Sequence, residues 1–598
     1  MKNLRIVSGA VLAAGMALVA ARASALQGPM GDPAPVVAKC DTELVGTVRV
    51  CTTGKGWSVT AVREDSGTAG IEYVRMVFTP NFTTGTVAFV IRLDVPQLDM
   101  QHEWQTRLER YRLALGAGMQ HSNFTDGVPV RTVFNSVNRN RLTYALDDPI
   151  RDYSLGGGTW SGDMDNPMIN ARAEFKLHAK DGEKRLVLRL DRRDVFWSDA
   201  LGDAVEWIRK GTGPKMDVPD SAYMPLYSTW YAFCSSPRLT AEKVERNAAL
   251  AARLGMGTII LDDGWQTSYG SWPVNEKRFP DRRAHVAKVK AAGLKYMLWF
   301  ALPYMGWNNE AATRFKGWEL FIGRERTPLF KPYASNQREY LIGVFERALR
   351  EWDVDGFKID FIDKWREFPK DTQTFMDELV RRLKAIKPDI LIEFREPYTG
   401  PAILRYGNMV RALDCPGDAQ ANHYRIANLR VATGGTAVHS DMIEWNPRLS
   451  AELAAQTVLS VIFSTVQYSV DLTVYPEDHL RMIGHWCGFA RRHVGALQKG
   501  RFRAYYPQNG YPMLEGEDAD ERVIAVYLPG MTADVAADSK QTTVINGTAV
   551  GRLTVRSAAA AVVEVYDTFG TRVRTQKVGR GLSEIDVPVS GYLVVRRK

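Results

Sequence analysis

The sequence predicts a multidomain α/β protein, in which a central (β/α)8 TIM barrel stands between an N-terminal β-sandwich and a C-terminal all-β domain. Three observations lead to this prediction. The chain has 598 residues, too many for one ordinary domain. Its hydrophobic pattern is of strand type towards both ends. In the middle, short apolar runs alternate with amphipathic helical segments, as is typical of parallel strands joined by helices.

The N-terminus has the order of a secretory signal peptide, which we assign to residues 1–25. Basic residues near the start precede an apolar stretch from Val7 to Val19, and Ala23-Ser24-Ala25 follows. The apolar stretch is short for a membrane span. We therefore predict cleavage near Ala25 and an exported protein, periplasmic or secreted, with a membrane-anchored N-terminus as the alternative. No later segment is apolar enough to cross a bilayer.

Residues 35–220 consist of alternating polar and apolar stretches separated by Gly, Asp, Asn and Pro turns, which predicts the β-sandwich. Cys40 and Cys51 bracket a predicted hairpin. An exported protein allows a disulfide between them, and the sequence leaves this pairing open. The five cysteines form no CxxC pair and no metal-ligand cluster, so we predict neither a metal site nor a cofactor.

Residues 224–497 contain eight short strand-like runs with helical segments between them, the length and order of a (β/α)8 barrel. The runs are YSTWYAF, TIILDDGW, KYMLWFAL, GFKIDFID, ILIEFREP, NMVRALDC, TAVHSDMI and VQYSVDL. An open, doubly wound sheet is the rival, but no Gly-rich phosphate loop follows the first run. Short strand patterns return in residues 498–598 and predict the C-terminal β-domain.

Composition excludes some partners. The net charge of +9 results from 77 basic and 68 acidic residues spread along the chain. Because the basic residues form no runs, we expect a solvated surface and no nucleic-acid partner.

The carboxyl ends of the barrel strands form the active-site rim in folds of this type. Carboxylates, basic groups and tryptophans gather at these ends, and this combination suits a sugar, whose hydroxyls need charged partners and whose C–H face needs an aromatic ring. Two carboxyl groups are also the minimum for most glycosidases. The rim residues, in strand order, are Asp262, Asp263, Trp265, Trp299, Lys358, Asp360, Glu393, Arg395, Arg411, Asp414, His439 and Asp441.

Some rim residues have structural alternatives. We expect His439 and Asp441 to support the site and not to react. Glu444 and Trp445 would either touch the leaving group or pack on the barrel. In KIDF, Lys358 and Asp360 are expected to face the barrel axis, with Ile359 and Phe361 towards the helices.

The segment LDDGWQTSYGSWPVNEKRFPD, followed by MLWFALP and VDGFKIDF, resembles the retaining α-galactosidases of the melibiase type, glycoside hydrolase family 36, and their relatives in family 27. The resemblance covers residues ~35–598 and implies the same three-domain plan. It also implies that Asp360 would be the nucleophile, and that Lys358 would hold sugar hydroxyls and keep Asp360 ionised. Asp262 and Asp263 would accept hydrogen bonds from O4 and O6. Trp265 and Trp299 would shape the pocket wall, and Arg411 would bind near the 2-OH.

The general acid/base would come from the end of strand 6. The resemblance favours Asp414, with Asp418 as the alternative, because Cys415 stands where relatives often have a second Asp. Its pKa is expected to be raised. Strand 5 departs from the family pattern: Glu393, Arg395 and Glu396 replace a turn rich in Cys, Ser and Gly near the expected 2-substituent.

The resemblance implies a retaining, exo-acting α-glycosidase that hydrolyses terminal α-galactosyl residues of an oligosaccharide or polysaccharide through a covalent intermediate. Alternatives are another sugar specificity, such as an α-N-acetylgalactosaminide or β-L-arabinopyranoside, and transglycosylation as in raffinose synthase-like members. A non-enzymatic sugar-binding protein is disfavoured, because a binding module needs no second carboxyl group.

Overall fold

The computed structural model describes residues 36–52, 54–106, 119–158, 168–234, 237–536, 538 and 540–596. The predicted signal peptide lies outside these residues. The predicted architecture is confirmed: two antiparallel sheets precede an eight-stranded parallel sheet, and two further sheets follow it. Within the described residues, no helix is both long enough and apolar enough to span a membrane.

The N-terminal sandwich consists of two six-stranded sheets, ordered β1-β2-β5-β11-β10-β7 and β3-β4-β12-β9-β8-β6. Buried residues alternate along the strands, and the rings of Phe78 and Phe89 meet between the sheets at 5.0 Å. Alternation of this kind buries one face of each sheet in a shared core. The strands are β1 Val36–Thr42, β2 Gly46–Thr52, β3 Trp57–Asp65, β4 Ile71–Pro80, β5 Thr86–Pro96, β6 His102–Gln105, β7 Gln120–Ser122, β8 Val130–Phe134, β9 Asn140–Leu146, β10 Tyr153–Gly158, β11 Met168–His178 and β12 Lys184–Asp191.

Cys40 and Cys51 of the first hairpin do not form a disulfide. In the β1–β2 register, Cys40 lies opposite Val48 and Cys51 lies opposite Val36. Three residues along a strand span about 10 Å, whereas a disulfide requires Cα atoms within about 7 Å. Both thiols are free, as are those of Cys234, Cys415 and Cys487.

The helix Trp197–Gly211 joins the sandwich to the barrel. The eight barrel strands are β13 Leu226–Ser228, β14 Thr258–Leu261, β15 Lys295–Ala301, β16 Gly356–Asp360, β17 Leu391–Arg395, β18 Met409–Arg411, β19 Ala437–His439 and β20 Gln467–Tyr468. Seven of them lie inside the predicted runs, and β13 begins at Leu226, one residue before the run YSTWYAF. All neighbouring pairs are parallel, and the bridges His439 to Thr465 and Ile443 to Tyr468 link the two ends of the sheet. The sheet is thereby closed into a barrel.

Helices cover the outside of the barrel and bury one face against it. The longer ones are amphipathic, as their sequence periodicity predicts. Several begin with a capping side chain; Thr240, for example, accepts a hydrogen bond from the backbone N–H of Lys243. The helices are Trp230–Phe233, Ala241–Arg253, Arg282–Ala291, Glu310–Arg314, Ser335–Trp352, Pro369–Ile386, Pro401–Leu404, Ala419–Ala432, Ala451–Ser460 and Glu477–Arg492.

Strand β16 explains how the mouth of the barrel acquires its charges. The ring of Phe357 packs 5.0 Å from that of Phe345 on the covering helix, so the alternate residues Lys358 and Asp360 face the axis, as expected. The expectation for Phe361 is wrong. The strand ends at Asp360, and Phe361 adopts a left-handed backbone conformation (φ 66°) that turns its ring to the mouth.

The C-terminal domain contains a seven-stranded sheet, ordered β21-β22-β23-β25-β30-β27-β28, and a three-stranded sheet, ordered β24-β26-β29. Their apolar faces enclose a separate core. The strands are β21 Arg501–Tyr505, β22 Met513–Glu517, β23 Glu521–Val526, β24 Thr532–Val535, β25 Gln541–Asn546, β26 Arg552–Ser557, β27 Ala561–Tyr566, β28 Arg572–Val578, β29 Gly581–Asp586 and β30 Tyr592–Arg596.

Candidate active site

The carboxylate of Asp360, at the end of β16, is the centre of the site. Its Oδ1 accepts hydrogen bonds from the backbone N–H of Phe361 (2.8 Å), the hydroxyl of Tyr398 (2.6 Å) and Nε of Arg395 (2.5 Å). Among the described residues, one group donates to its Oδ2, the indole N–H of Trp299 (3.1 Å). Oδ1 is therefore committed to the protein, whereas Oδ2 keeps lone-pair capacity for a bond to substrate.

The electrostatic surroundings keep Asp360 ionised. Burial alone would raise its pKa, but the positive charges of Arg395 and Lys358 and the hydrogen bond from Tyr398 outweigh burial, so the pKa lies below its usual value. The guanidinium of Arg395 also lies over the rings of Phe361 and Tyr398, at 5.2 and 5.6 Å. An attacking carboxylate must be ionised, and these contacts provide that.

Two more carboxylates lie on the strand-2 side of the site. The Lys358 ammonium donates to Oδ2 of Asp262 over 2.6 Å, and both side chains are buried. Burial is the largest influence on Asp262 and raises its pKa, which Lys358 partly offsets. Asp263 is less buried and accepts hydrogen bonds from Gln266 (2.5 Å) and Tyr269 (3.4 Å). Lys358 thus fixes Asp262, while its charge also acts on Asp360.

The two predicted wall tryptophans occupy different environments. Trp299 contacts the nucleophile candidate directly through its indole N–H. Trp265 is 2% exposed, and its ring packs against Phe300 and Trp352 at 5.4 Å in each case. Its own N–H donates to the backbone oxygen of Trp299 (3.1 Å). The structure therefore brings Trp299 to the site but places Trp265 in the layer between strands and helices.

This placement predicts a stability role for Trp265. Replacing Trp265 by alanine should lower the free energy of unfolding by about 3–5 kcal/mol, because it leaves a large cavity in the core. Urea denaturation followed by circular dichroism measures the change. Trp307→Ala is the matched control: Trp307 is 55% exposed, and its loss should change stability by about 0.5 kcal/mol or less. Equal stability of the two variants would contradict the core placement.

Two further residues considered in the sequence analysis lie below or beside the site. Glu393 is fully buried, and its Oε2 accepts hydrogen bonds from His439 Nδ1 (2.8 Å) and Gln467 (2.6 Å). It is part of a support network inside the barrel, in line with the expectation for His439. Trp445 packs on the barrel, since it is buried and donates to Nδ1 of His479 (3.0 Å).

A second charged cluster forms at the end of β18. Arg411 donates to Oδ1 of Asp414 (2.8 Å) and to Oδ1 of the buried Asp441. The second oxygen of Asp441 accepts from the hydroxyl of Tyr231 (2.8 Å) and the backbone N–H of Cys415 (2.7 Å). Asp441 is therefore fully occupied as a support, whereas the side chain of Asp414 is 49% exposed at the mouth.

The two acid/base candidates are distinguished by this geometry. Asp418 caps the helix Ala419–Ala432 by accepting a hydrogen bond from the backbone N–H of Ala421 (2.8 Å). Within the described part of the chain, the side chain of Asp414 caps no helix, and Arg425 holds its backbone oxygen (2.9 Å). Burial raises the pKa of Asp414, but the charge and hydrogen bond of Arg411 outweigh it and lower the pKa overall. This differs from the raised pKa expected from the sequence, because Arg411 pairs with Asp414 as well as with Asp441.

Sequence reasoning missed Tyr398, which donates to the nucleophile candidate Asp360, and Tyr231, which donates to the supporting Asp441. Tyr398 follows β17 by three residues, and Tyr231 lies in the helical turn after β13. Burial and nearby carboxylates raise the pKa of both phenols, so both remain neutral hydrogen-bond donors. The signal that could have found them is their position, since both follow barrel strands at the catalytic end.

The site thus combines an ionised carboxylate in a buried position with a second carboxyl group near the opening. Arg395 and Arg411, which bind Asp360 and Asp414, are register partners on the neighbouring strands β17 and β18, so the two acids belong to the same part of the rim. Such a pair can carry out nucleophilic attack and proton transfer on one substrate. Among the described residues, no group of three or more His, Cys, Asp or Glu side chains is arranged to hold a metal ion.

Sequence comparison finds local similarity to α-galactosidases. No family model matches the chain. It is 29% identical over 135 residues to α-galactosidase Mel36A of Lactobacillus acidophilus, covering 21% of this chain and 18% of the relative. It is 25% identical over 170 residues to an A type blood α-D-galactosamine galactosaminidase of Flavonifractor plautii, covering 24% of this chain and 15% of the relative. The matches span less than a fifth of each relative's length.

Structural similarity extends over nearly the whole chain. The GH36 α-galactosidase AgaA of Geobacillus stearothermophilus, in a variant solved in complex with stachyose, aligns with a TM-score of 0.63 and 14% identity, over 95% of this chain and 85% of that chain. The galactosidase domain of the α-galactosidase-sucrose kinase AgaSK aligns with a TM-score of 0.62 and 13% identity, over 94% and 83%. At these identities the likeness shows a common fold. The resemblance to melibiase-type α-galactosidases is confirmed.

Proposed function

We propose that this protein is a retaining, exo-acting glycoside hydrolase that removes terminal α-galactosyl residues. The observation that carries the proposal is the arrangement of two carboxyl groups at different depths. Asp360 is 7% exposed and held ionised, whereas the side chain of Asp414 is about half-exposed. A terminal sugar that enters such a site meets the nucleophile at the bottom, and its leaving group remains near the opening.

The reaction follows from these positions. In the first step, Oδ2 of Asp360 attacks the anomeric carbon, the bond to the leaving oxygen breaks, and Asp414 gives that oxygen its proton. In the second step, Asp414 takes a proton from water, the water oxygen bonds to the anomeric carbon, and the carboxylate of Asp360 departs. Two inversions give net retention. Trp299, Tyr398 and Arg395 hold the carboxylate in position throughout.

The choice of sugar is supported by the relatives and by the pocket. Two of the curated relatives are α-galactosidases. Arg395 touches the nucleophile candidate, so it lies near ring positions next to the anomeric carbon. A cationic guanidinium there suits a hydroxyl acceptor better than the ammonium group of a 2-amino sugar. We therefore favour a galactoside over a sugar with a free 2-amino group.

Release of p-nitrophenol from four aryl glycosides tests the proposal: the α-galactoside, the α-N-acetylgalactosaminide, the α-glucoside and the β-L-arabinopyranoside. We expect the α-galactoside to give the highest kcat/KM. Proton NMR of the first product formed should show α-galactose before mutarotation. First appearance of the β-anomer would contradict retention, and absence of release from all four would contradict the exo-hydrolase. Addition of a sugar acceptor separates hydrolysis from transfer, since a transglycosylase would form a new glycoside instead of free galactose.

The pKa values predict an acidic pH optimum. The profile of kcat/KM reports the free enzyme, in which Asp360 must be ionised and Asp414 protonated. Burial raises both pKa values, but Arg395 and Lys358 lower that of Asp360 overall, and Arg411 lowers that of Asp414 overall. A free Asp titrates near pH 3.9 and the pKa of Asp414 lies below its usual value, so kcat/KM should fall as pH rises above about 4. Measurement with raffinose, whose sugar leaving group needs a proton from the enzyme, from pH 3 to 8 tests this, and a flat profile to pH 8 would contradict it.

We also propose that the protein is exported, on the basis of its N-terminal sequence. Fractionation of cells producing the full chain, with N-terminal sequencing of the mature protein, tests this. Cleavage near Ala25 is the expected result. An uncleaved chain in the cytoplasmic fraction would contradict it.

A further inference from the structure

Residues 302–334, which follow β15 at the mouth of the barrel, carry an unusual set of exposed rings. Among the described residues, the exposed large aromatic side chains all lie in this segment, and every other Trp, Tyr and Phe is at least partly buried. Single exposed apolar residues are normal on a protein surface, but their concentration in one segment requires an explanation. The four are Trp307 (55% exposed), Trp318 (60%), Phe321 (51%) and Tyr333 (45%).

Backbone bridges and side-chain contacts hold this segment in a defined fold, so the four rings are exposed because of how the segment folds. Leu329 forms antiparallel bridges to Leu320 and to Tyr304. The hydroxyl of Tyr304 donates to Glu325 (2.7 Å), and Glu325 pairs with Lys364 (3.1 Å). These contacts tie the tip of the segment back to the barrel. The exposed rings are therefore presented on a defined surface.

The same segment reaches the candidate active site. The ring of Tyr304 lies 5.2 Å from that of Phe361, which directly follows Asp360. It also lies 6.0 Å from Tyr269, whose ring is 5.8 Å from that of Trp299. Aromatic side chains thus continue from the nucleophile candidate to the base of the segment, and Trp307 stands three residues beyond Tyr304.

The four rings fall into two pairs with different surroundings. Trp318 and Tyr333 flank the ammonium of Lys331, at 5.8 and 5.9 Å, and so interact with a cation inside the protein. Trp307 and Phe321 lie 6.1 Å apart with their planes at 33°. Within the described part of the chain, no other ring or cation is stacked on either. They form a small apolar surface, here called the mouth pair, beside the opening of the site.

We propose that the mouth pair docks the sugar chain on the leaving-group side of the substrate, outside the pocket that holds the terminal residue. This inference rests on the proposed function. Sugar rings have an apolar C–H face that packs on aromatic rings, and the leaving group of an exo-acting enzyme emerges at the mouth. The occupant is therefore a further pyranose unit of an oligosaccharide or polysaccharide chain.

The size of the surface favours a sugar over a second protein copy. Two aromatic side chains contribute about 150–250 Å² each. A specific protein interface buries about 800 Å² on each partner. The mouth pair is too small for such an interface and is of the right size for one or two sugar units.

Substrates with and without a sugar in the leaving group test the inference. For Trp307→Ala, Phe321→Ala and the double variant, kcat/KM should fall about tenfold on stachyose and on galactomannan, mainly through KM. With p-nitrophenyl α-galactoside, whose leaving group contains no sugar, kcat/KM should stay within about twofold of wild type. Trp318→Ala is the matched control, because its ring is equally exposed on the same segment but pairs with Lys331; it should behave like wild type on all three substrates.

Each other outcome overturns the inference. Equal losses on the aryl galactoside and on stachyose would mean that the mouth pair shapes the pocket itself. No loss on any substrate, or the same loss in Trp318→Ala, would show that the mouth pair does not dock the sugar chain. A smaller particle mass for the double variant in light scattering would identify the surface as a contact between copies.

The inference and the proposed function fail in different ways. A wild-type protein that cannot cleave the aryl galactoside contradicts the function. Retardation of the protein by galactomannan in a native gel requires no turnover, so it still tests the docking surface. Wild type and Trp318→Ala should be retarded and the double variant should not. Equal migration of all three would overturn the inference.

Discussion

Replacing Asp360 by alanine is expected to reduce kcat on p-nitrophenyl α-galactoside on the order of 10⁴-fold or more. The carboxylate forms the covalent bond in the proposed mechanism, and no neighbouring group can replace it. Within the described residues, the other acids of the site are engaged elsewhere: Asp262 with Lys358, Asp263 with Gln266 and Tyr269, Asp414 with Arg411, and Asp441 with Arg411 and Tyr231. Initial rates of p-nitrophenol release measure the loss.

Azide should partly restore activity in Asp360→Ala, because a small anion can enter the space left by the carboxylate. Attack by azide from the nucleophile's side gives β-galactosyl azide, which proton NMR identifies. Asp363→Ala is the control: this Asp lies three residues further along, in the short helical turn Ile362–Trp365, and its loss should leave most of the activity. Formation of the α-azide, or an inactive Asp363→Ala with an active Asp360→Ala, would move the nucleophile role away from Asp360.

The barrel and its central charges could be predicted from the sequence because they depend on local pattern. Alternation along β16 fixes the side of the sheet on which Lys358 and Asp360 lie, and the strand end fixes their height. Phe361 shows where this reasoning stops. As an apolar residue, Phe361 continues the alternating pattern of the sequence. The strand ends one residue earlier, however, and the left-handed backbone turns the ring to the mouth.

Partners within the site were harder to predict, because they depend on how loops fold over the rim. Tyr398 reaches Asp360 from beyond β17; its position after a barrel strand places it at the rim, but does not indicate which carboxylate it contacts. Trp265 follows the strand-2 aspartates directly, yet its ring points to the core. Distance along the chain from a catalytic motif is therefore a poor guide to contact, whereas position in a strand is a good one.

The charge pattern adds a physical constraint that sequence alone did not reveal. Two arginines each bind a carboxylate of the site: Arg395 holds Asp360, and Arg411 bridges Asp414 and Asp441. The first pairing helps a nucleophile, which must be ionised. The second pairing opposes a general acid, which must be protonated. Asp414 can therefore be protonated only in acidic solution or when a bound sugar weakens its contact with Arg411.

The assignment of Asp414 over Asp418 has the second large expected effect. Asp414→Ala should reduce kcat/KM on raffinose or stachyose by about 10²–10⁴-fold, because a sugar leaving group needs a proton from the enzyme. The aryl galactoside should be much less affected in its first step, since p-nitrophenolate leaves without protonation. Rates on both substrates, compared as a ratio, separate proton transfer from loss of binding.

Asp418→Ala provides the matched comparison, since it removes the same side chain four residues away. Asp418 caps a helix, so its loss should cost about 1 kcal/mol of stability and should lower both activities equally, if at all. Azide should accelerate Asp414→Ala on the aryl galactoside, because it replaces the water that this variant can no longer activate; it should not accelerate Asp418→Ala. If the dependence on leaving group and the azide response belong to Asp418→Ala, the acid/base is Asp418, and the exposed carboxyl that pairs with Arg411 serves only to bind.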